Sequence, residues 1–244
     1  MATVPAVPSV GAMSDEKTAI VTGASRGLGL ALATGLAAAG WRLVVDARDG
    51  EALATAMDRL PGEHAVLPGD ITDPAHRAAL VDAAHRLGGP DLLVNNAGIL
   101  GPSPQPGLGG YPLPALREVY EVNVFAPLAL TQAALPALRG RAGTVVNVTS
   151  DAAVEPYPGW GGYGSAKAAV EQMSRILAVE EPALRVWWVD PGDLRTRMHQ
   201  EAFPGEDISD RPLPETVVPA FRRLLASRPP SGRLRLASLE LVTA

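Results

Sequence analysis

The chain has 244 residues, 47% of them hydrophobic, enough to bury a substantial core and within the range of a single α/β domain. Its 26 acidic residues against 21 basic ones give a net charge of -5, and without a basic cluster this argues against nucleic acid or an anionic membrane as a partner. The absence of cysteine excludes disulfides, thiolate nucleophiles and Cys-ligated metals, and His64, His76, His85 and His199 lack metal-ligand spacing. His199 reads as a surface histidine.

Residues 1–16 read as a flexible extension ahead of one domain spanning 17–244. They lack the basic and apolar regions of a secretory signal, and nowhere does the chain approach the roughly 18 apolar residues of a membrane span, so a soluble cytoplasmic protein is expected. Thereafter short β-branched runs alternate with Ala/Leu-rich stretches of helical period, the pattern of a parallel sheet covered by helices on both faces. Strands are expected at 18–22, 42–47, 64–69, 92–96, 144–150, 184–190 and 234–241, and helices at 27–39, 50–60, 74–87, 114–138, 163–180 and 215–227. These describe a doubly wound, seven-stranded α/β fold. Asp73 followed by Pro74 reads as a helix start, and Gly40 and Gly88 as left-handed helix caps. Two Pro/Gly-rich loops, 99–114 and 193–214, follow strands at their C-terminal ends, where open α/β sheets bind ligands.

Between the first strand and the first helix lies Thr22-Gly23-Ala24-Ser25-Arg26-Gly27-Leu28-Gly29. Its glycines allow a tight turn and close approach of backbone to a phosphate, which the helix N-terminus attracts. The second strand runs out in Asp46-Ala47-Arg48-Asp49. A carboxylate there would favour NAD through the ribose 2'-hydroxyl, whereas an arginine would favour the 2'-phosphate of NADP. Asp46 still lies within the apolar run and Arg48 falls beyond it, with Arg26 as a second cation, so NADPH is expected over NADH.

Tyr163 and Lys167 lie four residues apart on an expected helix, hence on one face, and Ser150 ends the fifth strand. An ammonium beside a phenol favours its ionised form and can make it an acid/base group near neutrality. A tyrosine and a lysine at that spacing also occur together by chance; the remaining motifs decide.

Those motifs are TGASRGLG at 22–29, Asp70 in GDIT, Asn95-Asn96-Ala97-Gly98, Asn123 in EVNVFAP, Ser150 in NVTS, Tyr163 and Lys167 in YGSAK, and Pro191-Gly192 in DPGDLRT. In this order the chain resembles the short-chain dehydrogenases/reductases over about residues 18–200. The resemblance implies a Rossmann-type fold and hydride transfer between NAD(P)H and a carbonyl or alcohol. It implies that Tyr163 protonates the carbonyl oxygen, that Ser150 stabilises charge on that oxygen, and that Lys167 lowers the phenol pKa and holds the nicotinamide ribose. Asn123, a poor helix former, would interrupt its helix and support a proton relay to Lys167. Cofactor contacts would come from Gly23, Ser25, Arg26, Gly27, Leu28 and Gly29, and then from Arg48, Asp70 and Ile71. Asn96, Ala97 and Gly98, the Tyr163–Lys167 pair, Pro191, Gly192 and Thr196 would complete them. Structural roles stay open for Asn95 and Asn96, which could tie strands together, and for Asp70, which could cap a helix.

The chain departs from the family in a compressed EEPALRVWWV, in Trp187 where a small polar residue is usual, and in a C-terminus without a glycine pair. These put the family's usual tetramer in doubt and leave a dimer through the helices at 114–138 and 163–180. The expected activity is NADPH-dependent reduction of a small or medium, rather apolar ketone or aldehyde. Leu100, Pro102, Tyr157, Trp160, Met198 and Phe203 are the expected pocket. NAD(P)-linked alcohol oxidation, non-redox chemistry and nucleotide sensing are the alternatives.

Overall fold

A computed structural model describes residues 17–237. The expected N-terminal extension and positions 238–241 of the expected last strand lie outside the described residues. The β-branched runs become β1 (Thr18–Val21), β2 (Arg42–Ala47), β3 (His64–Pro68), β4 (Leu92–Asn95), β5 (Thr144–Val148), β6 (Arg185–Asp190) and β7 (Gly232–Arg235). All pair in parallel, in the order β3-β2-β1-β4-β5-β6-β7. The order switches direction between β1 and β4, and the carboxyl ends of these strands open the crevice that such sheets use for ligands.

Helices α1 (Gly27–Ala37), α2 (Gly50–Met57), α3 (Pro74–Arg86), α4 (Leu113–Tyr120), α5 (Ala126–Gly140), α6 (Gly161–Glu180), α7 (Arg197–Ala202) and α8 (Val218–Ser227) connect the strands. Alternation along β1 divides the core: Ala19 and Val21 pack with Leu32 and Leu36 of α1 and Phe221 of α8, while Ile20 packs with Leu80 of α3 and Leu130 of α5. Trp187 lies in the first of these cores, fully buried, with its indole N–H donating to Pro229 O at 3.2 Å. Truncating so large a buried ring costs about 3–5 kcal/mol. Asp73 caps α3 by accepting from Ala75 N at 2.9 Å, and Gly40 and Gly88 adopt φ of +81° and +91°.

Three expectations need correcting. The helix expected at 114–138 is two helices joined by a π turn over Glu121–Phe125, where the Asn123 side chain takes over backbone partners and interrupts the ladder as expected of it. β7 starts at Gly232 and ends at Arg235, its register set by β6, with Trp187 opposite Gly232 and Asp190 opposite Arg235. Finally, the loop 193–214 contains α7, started by Thr196, whose hydroxyl accepts from His199 N at 3.1 Å. Among the described residues no helix is long and apolar enough to cross a membrane.

Candidate active site

The glycine loop is built by backbone conformation and by three side chains beneath it. Gly23 and Gly27 adopt φ of +68° and +57°, and a Cβ on Gly29 would lie 2.2 Å from Gly23 O, so the turn closes only without side chains there. Gly23 N donates to Asp46 Oδ1 at 2.8 Å. Thr22 Oγ1 accepts from Asn96 N at 3.0 Å and Ala97 N at 2.9 Å, while Asn96 Nδ2 donates to Thr22 O at 2.8 Å. Asn96 therefore locks the end of β4 to the glycine loop. Asn95 is a strand tie, donating to Thr131 Oγ1 and Asn147 Oδ1 at 3.1 and 2.7 Å. Sequence reasoning misses Thr22, although its place between strand and loop marks it. No side chain caps α1 and no acid occupies its first turn, which leaves its N–H groups and positive dipole end directed at the cleft.

At the outer end of the cleft the register separates the two candidate ribose contacts. Asp46 is 2% exposed and turned inward, bonded to Gly23 N and 3.2 Å from His76 Nε2. Arg48 lies past the end of β2, exposed, and lines the cleft with Arg26. The Arg26–Asp49 pair at 3.8 Å is half-exposed on both sides and therefore weak. Asp70 accepts from Thr72 N and Thr72 Oγ1, both at 2.8 Å, and the backbone bond leads in holding its carboxyl below the usual range. It closes a local turn while lining the cleft; the helix cap is Asp73.

At the inner end, β5 stops at Val148, so Ser150 sits beyond the ladder as the N-cap of a 3-10 turn over Asp151–Ala153. Its hydroxyl donates to Asp151 Oδ1 at 2.9 Å and accepts from Ala152 N at 3.2 Å. Tyr163 and Lys167 lie in the first turns of α6, both buried. Lys167 Nζ donates to Val148 O at 2.8 Å and stands 5.4 Å from the Tyr163 ring centre. Burial lowers Lys167 to about 8. Burial first, then the Asp151 and Asp190 carboxylates, push the Tyr163 phenol above its ordinary value. The shift is upward, against the lowering expected from Lys167: desolvation and two acids favour the neutral phenol, which holds its proton.

Asn123 does not line the cleft. Its side chain donates to Ile99 O at 2.8 Å and Val119 O at 3.0 Å and accepts from Ile99 N at 3.1 Å, clamping the segment after β4 to the π turn. A Cβ on Gly98 would come 2.6 Å from Asn123 Oδ1, so this glycine is needed for the close approach.

These groups face one cleft of about 990 Å³ along the carboxyl edge of the sheet. Every other residue expected at the cofactor or the reaction lines it, including Ser25, Leu28, Ile71, Ala97, Pro191, Gly192 and Thr196. Leu100, Pro102, Trp160 and Met198 line the inner end as expected, whereas Tyr157 and Phe203 pack behind Trp160 with ring centres 6.3 and 6.0 Å from it. Asp151 and Asp193 share that end, making it amphipathic rather than apolar. His199, expected at the surface, is a half-buried wall residue against Phe203, and burial lowers its pKa.

Residues 17–207 match the sequence profile of the short chain dehydrogenases. The chain is 37% identical to sepiapterin reductase from Rattus norvegicus over 199 residues, covering 75% of this chain and 76% of that protein. It is 36% identical to 1-deoxy-11-beta-hydroxypentalenate dehydrogenase from Streptomyces arenae over 197 residues, covering 76% and 70%. Its fold superposes with a TM-score of 0.80 on the alcohol dehydrogenase from the archaeon Thermococcus sibiricus complexed with 5-hydroxy-NADP, at 28% identity over 91% of this chain and 96% of that one. A profile match across most of the sequence and relatives above one-third identity place the cleft in a known context: the chain belongs to the short-chain dehydrogenase/reductase family, oxidoreductases that interconvert CH–OH and C=O groups.

Proposed function

We propose that the protein is an NADPH-dependent reductase of a small or medium ketone or aldehyde. The observation that carries this reading is the buried Tyr163–Lys167 pair beside Ser150 at one end of a cleft whose other end presents Arg26 and Arg48. The cleft fits a dinucleotide: the Gly29 position has no room for a Cβ, the α1 N-terminus is uncapped, and a volume near 990 Å³ lies at the top of the range for ligand pockets, about 300–1,000 Å³. The backbone of 23–29 and 96–98 would hold the phosphates and flank the cofactor, Asp70 and Ile71 the adenine, Tyr163 and Lys167 the nicotinamide ribose, and Pro191, Gly192 and Thr196 the carboxamide end. Two observations support NADPH: Asp46 is spent on Gly23 N and His76, and Arg48 faces the cleft as a partner for a 2'-phosphate. The complex of the Thermococcus enzyme with 5-hydroxy-NADP agrees with this preference.

When bound, NADPH supplies the hydride. Tyr163, kept protonated by burial and by Asp151 and Asp190, donates the phenolic proton to the carbonyl oxygen. Ser150 turns its hydroxyl from Asp151 to that oxygen and stabilises the charge developing on it. Lys167, buried one turn away, offsets the phenolate left behind, and Asn123 supports the route by which the proton is replaced. Phe125, Ile176 and Val179, 52%, 47% and 81% exposed, support a homodimer through the π turn and α6.

The test is turnover with NADPH over a panel of carbonyl compounds. Tyr163→Phe should lower kcat by roughly 10²–10⁴ with NADPH binding retained. A protein that binds no NADPH and turns over equally well as Tyr163→Phe would sink the reading.

A further inference from the structure

A second set of charges lies behind the catalytic turn. Glu171 on α6 and Asp190 at the end of β6 are 3% and 2% exposed, and carboxylates so deeply buried require compensation. Arg175, one turn along α6, stands 3.7 Å from Glu171, and the closer cations come from the edge strand β7. Arg233 Nε donates to Glu171 Oε1 at 2.9 Å, and Arg233 Nη2 lies 3.2 Å from Asp190 Oδ2. Arg235 Nε reaches the same Asp190 oxygen at 3.0 Å.

The same Arg233 Nη2 also donates to the backbone carbonyl of Ser150 at 3.1 Å. Ser150 lies beyond the last ladder residue of β5, so pairing with β6 no longer fixes its carbonyl; within the turn that oxygen receives only Ala153 N, at 3.1 Å. The residue before it is held by the same cluster, since Thr149 Oγ1 donates to Glu171 Oε1 at 2.9 Å and Thr149 N to Val189 O at 2.9 Å. A guanidinium fork tied to two buried acids is a rigid donor.

We propose that Arg233 is a positioning residue for carbonyl reduction: anchored by Glu171 and Asp190, it holds the Ser150 carbonyl and so sets where the Ser150 hydroxyl stands over the cleft. The proposal rests on the reading of Ser150 as the hydroxyl that stabilises the developing charge. A misplacement of about 1 Å in such a group costs on the order of 10²-fold in rate.

A double-mutant cycle on the full chain tests it. Arg233→Met should lower kcat about tenfold or more with KM little changed. Ser150→Ala should by itself lower kcat by roughly 10²–10³, and adding Arg233→Met to it should cost less than about twofold more. Arg233→Lys, which keeps the charge but not the fork, should remain impaired in kcat. If Arg233→Met, which leaves Glu171 only Thr149 and the 3.7 Å contact with Arg175, prevents folding, Glu171→Gln with Arg233→Met removes one charge of each sign and enters the same cycle. Equal losses from Arg233→Met with and without Ser150→Ala would show that Arg233 acts independently of Ser150 and would overturn the proposal. A Ser150→Ala protein with undiminished kcat would overturn the role of Ser150 itself, and the Tyr163→Phe result then shows whether the reductase reading survives without it.

Discussion

Asp46 and Asp190 stand at opposite ends of the cleft and do the same backbone task. Each is 2% exposed at the carboxyl end of its strand, and each accepts a loop N–H, Gly23 N at 2.8 Å for Asp46 and Gly192 N at 2.9 Å for Asp190. They differ in what meets the second oxygen. For Asp46 it is His76, an imidazole that can be neutral; for Asp190 it is Arg233 and Arg235, which are always charged. The fold can thus anchor a ligand loop with a buried aspartate in two ways. The charged version also ties β7 to the Ser150 turn, whereas the His76 version leaves Arg48 free of Asp46 at the edge of the cleft.

Removing the two aspartates should separate the two cases most strongly. Asp190→Ala leaves Gly192 N without its acceptor, strips Arg235 of its carboxylate and leaves Arg233 to Glu171 and the Ser150 carbonyl, and should cost about 3 kcal/mol of stability in urea unfolding. Asp46→Ala orphans a backbone N–H and a histidine, for about 1–3 kcal/mol. Equal losses would erase the distinction. A smaller effect is expected from the cation at the outer end: Arg48→Gln should weaken NADPH about tenfold by titration calorimetry and leave NADH nearly unchanged, a difference of about 1.4 kcal/mol. A parallel loss for both cofactors would deny Arg48 its part in reading the 2'-phosphate.

At any single pH near 8 the effect is smallest at the inner end, where the cation's contribution accrues only as pH rises. Lys167 falls from the ordinary lysine value of 10.5 to about 8 through burial. Between those values the unfolded chain keeps this proton and the folded chain has released it, so the unfolded state binds more protons and this group adds stability as pH rises from about 8 towards 10.5. Melting wild type and Lys167→Met across that window should show the increment only in wild type. Identical pH slopes would mean that burial does not penalise the Lys167 charge.

Much of this was legible because it is local. Six strands start within one residue of the expected position, and the glycine loop, Ser150, Tyr163 and Lys167 reach the cleft through spacings of a few residues. What escaped depends on distance. β7 departs from expectation because its register comes from pairing with Trp187 and Asp190 on β6 and from Ser231 Oγ accepting Val186 N, none of which its own alternation encodes. Asn123 marks an interruption of the helix expected at 114–138, but its form, a π turn, follows from contact between Asn123 and Ile99. The sites of Glu171, Asp190 and Arg233 look like ordinary helix and strand positions until three elements bring them together.

The π turn also imposes an arithmetic on the chain. It accommodates one residue more than an α-helical turn, so the surplus is already absorbed there, and inserting a further residue in 121–125 would turn everything after it by about 100° and push it on by about 1.5 Å. Leu130, Ala134 and Leu138, now packed against the sheet, would rotate off it, and Thr131 would lose Asn95. An exposed position of the turn such as Glu121 can change identity, but the number of residues in it cannot grow: here the phase of a helix is inherited as a residue count.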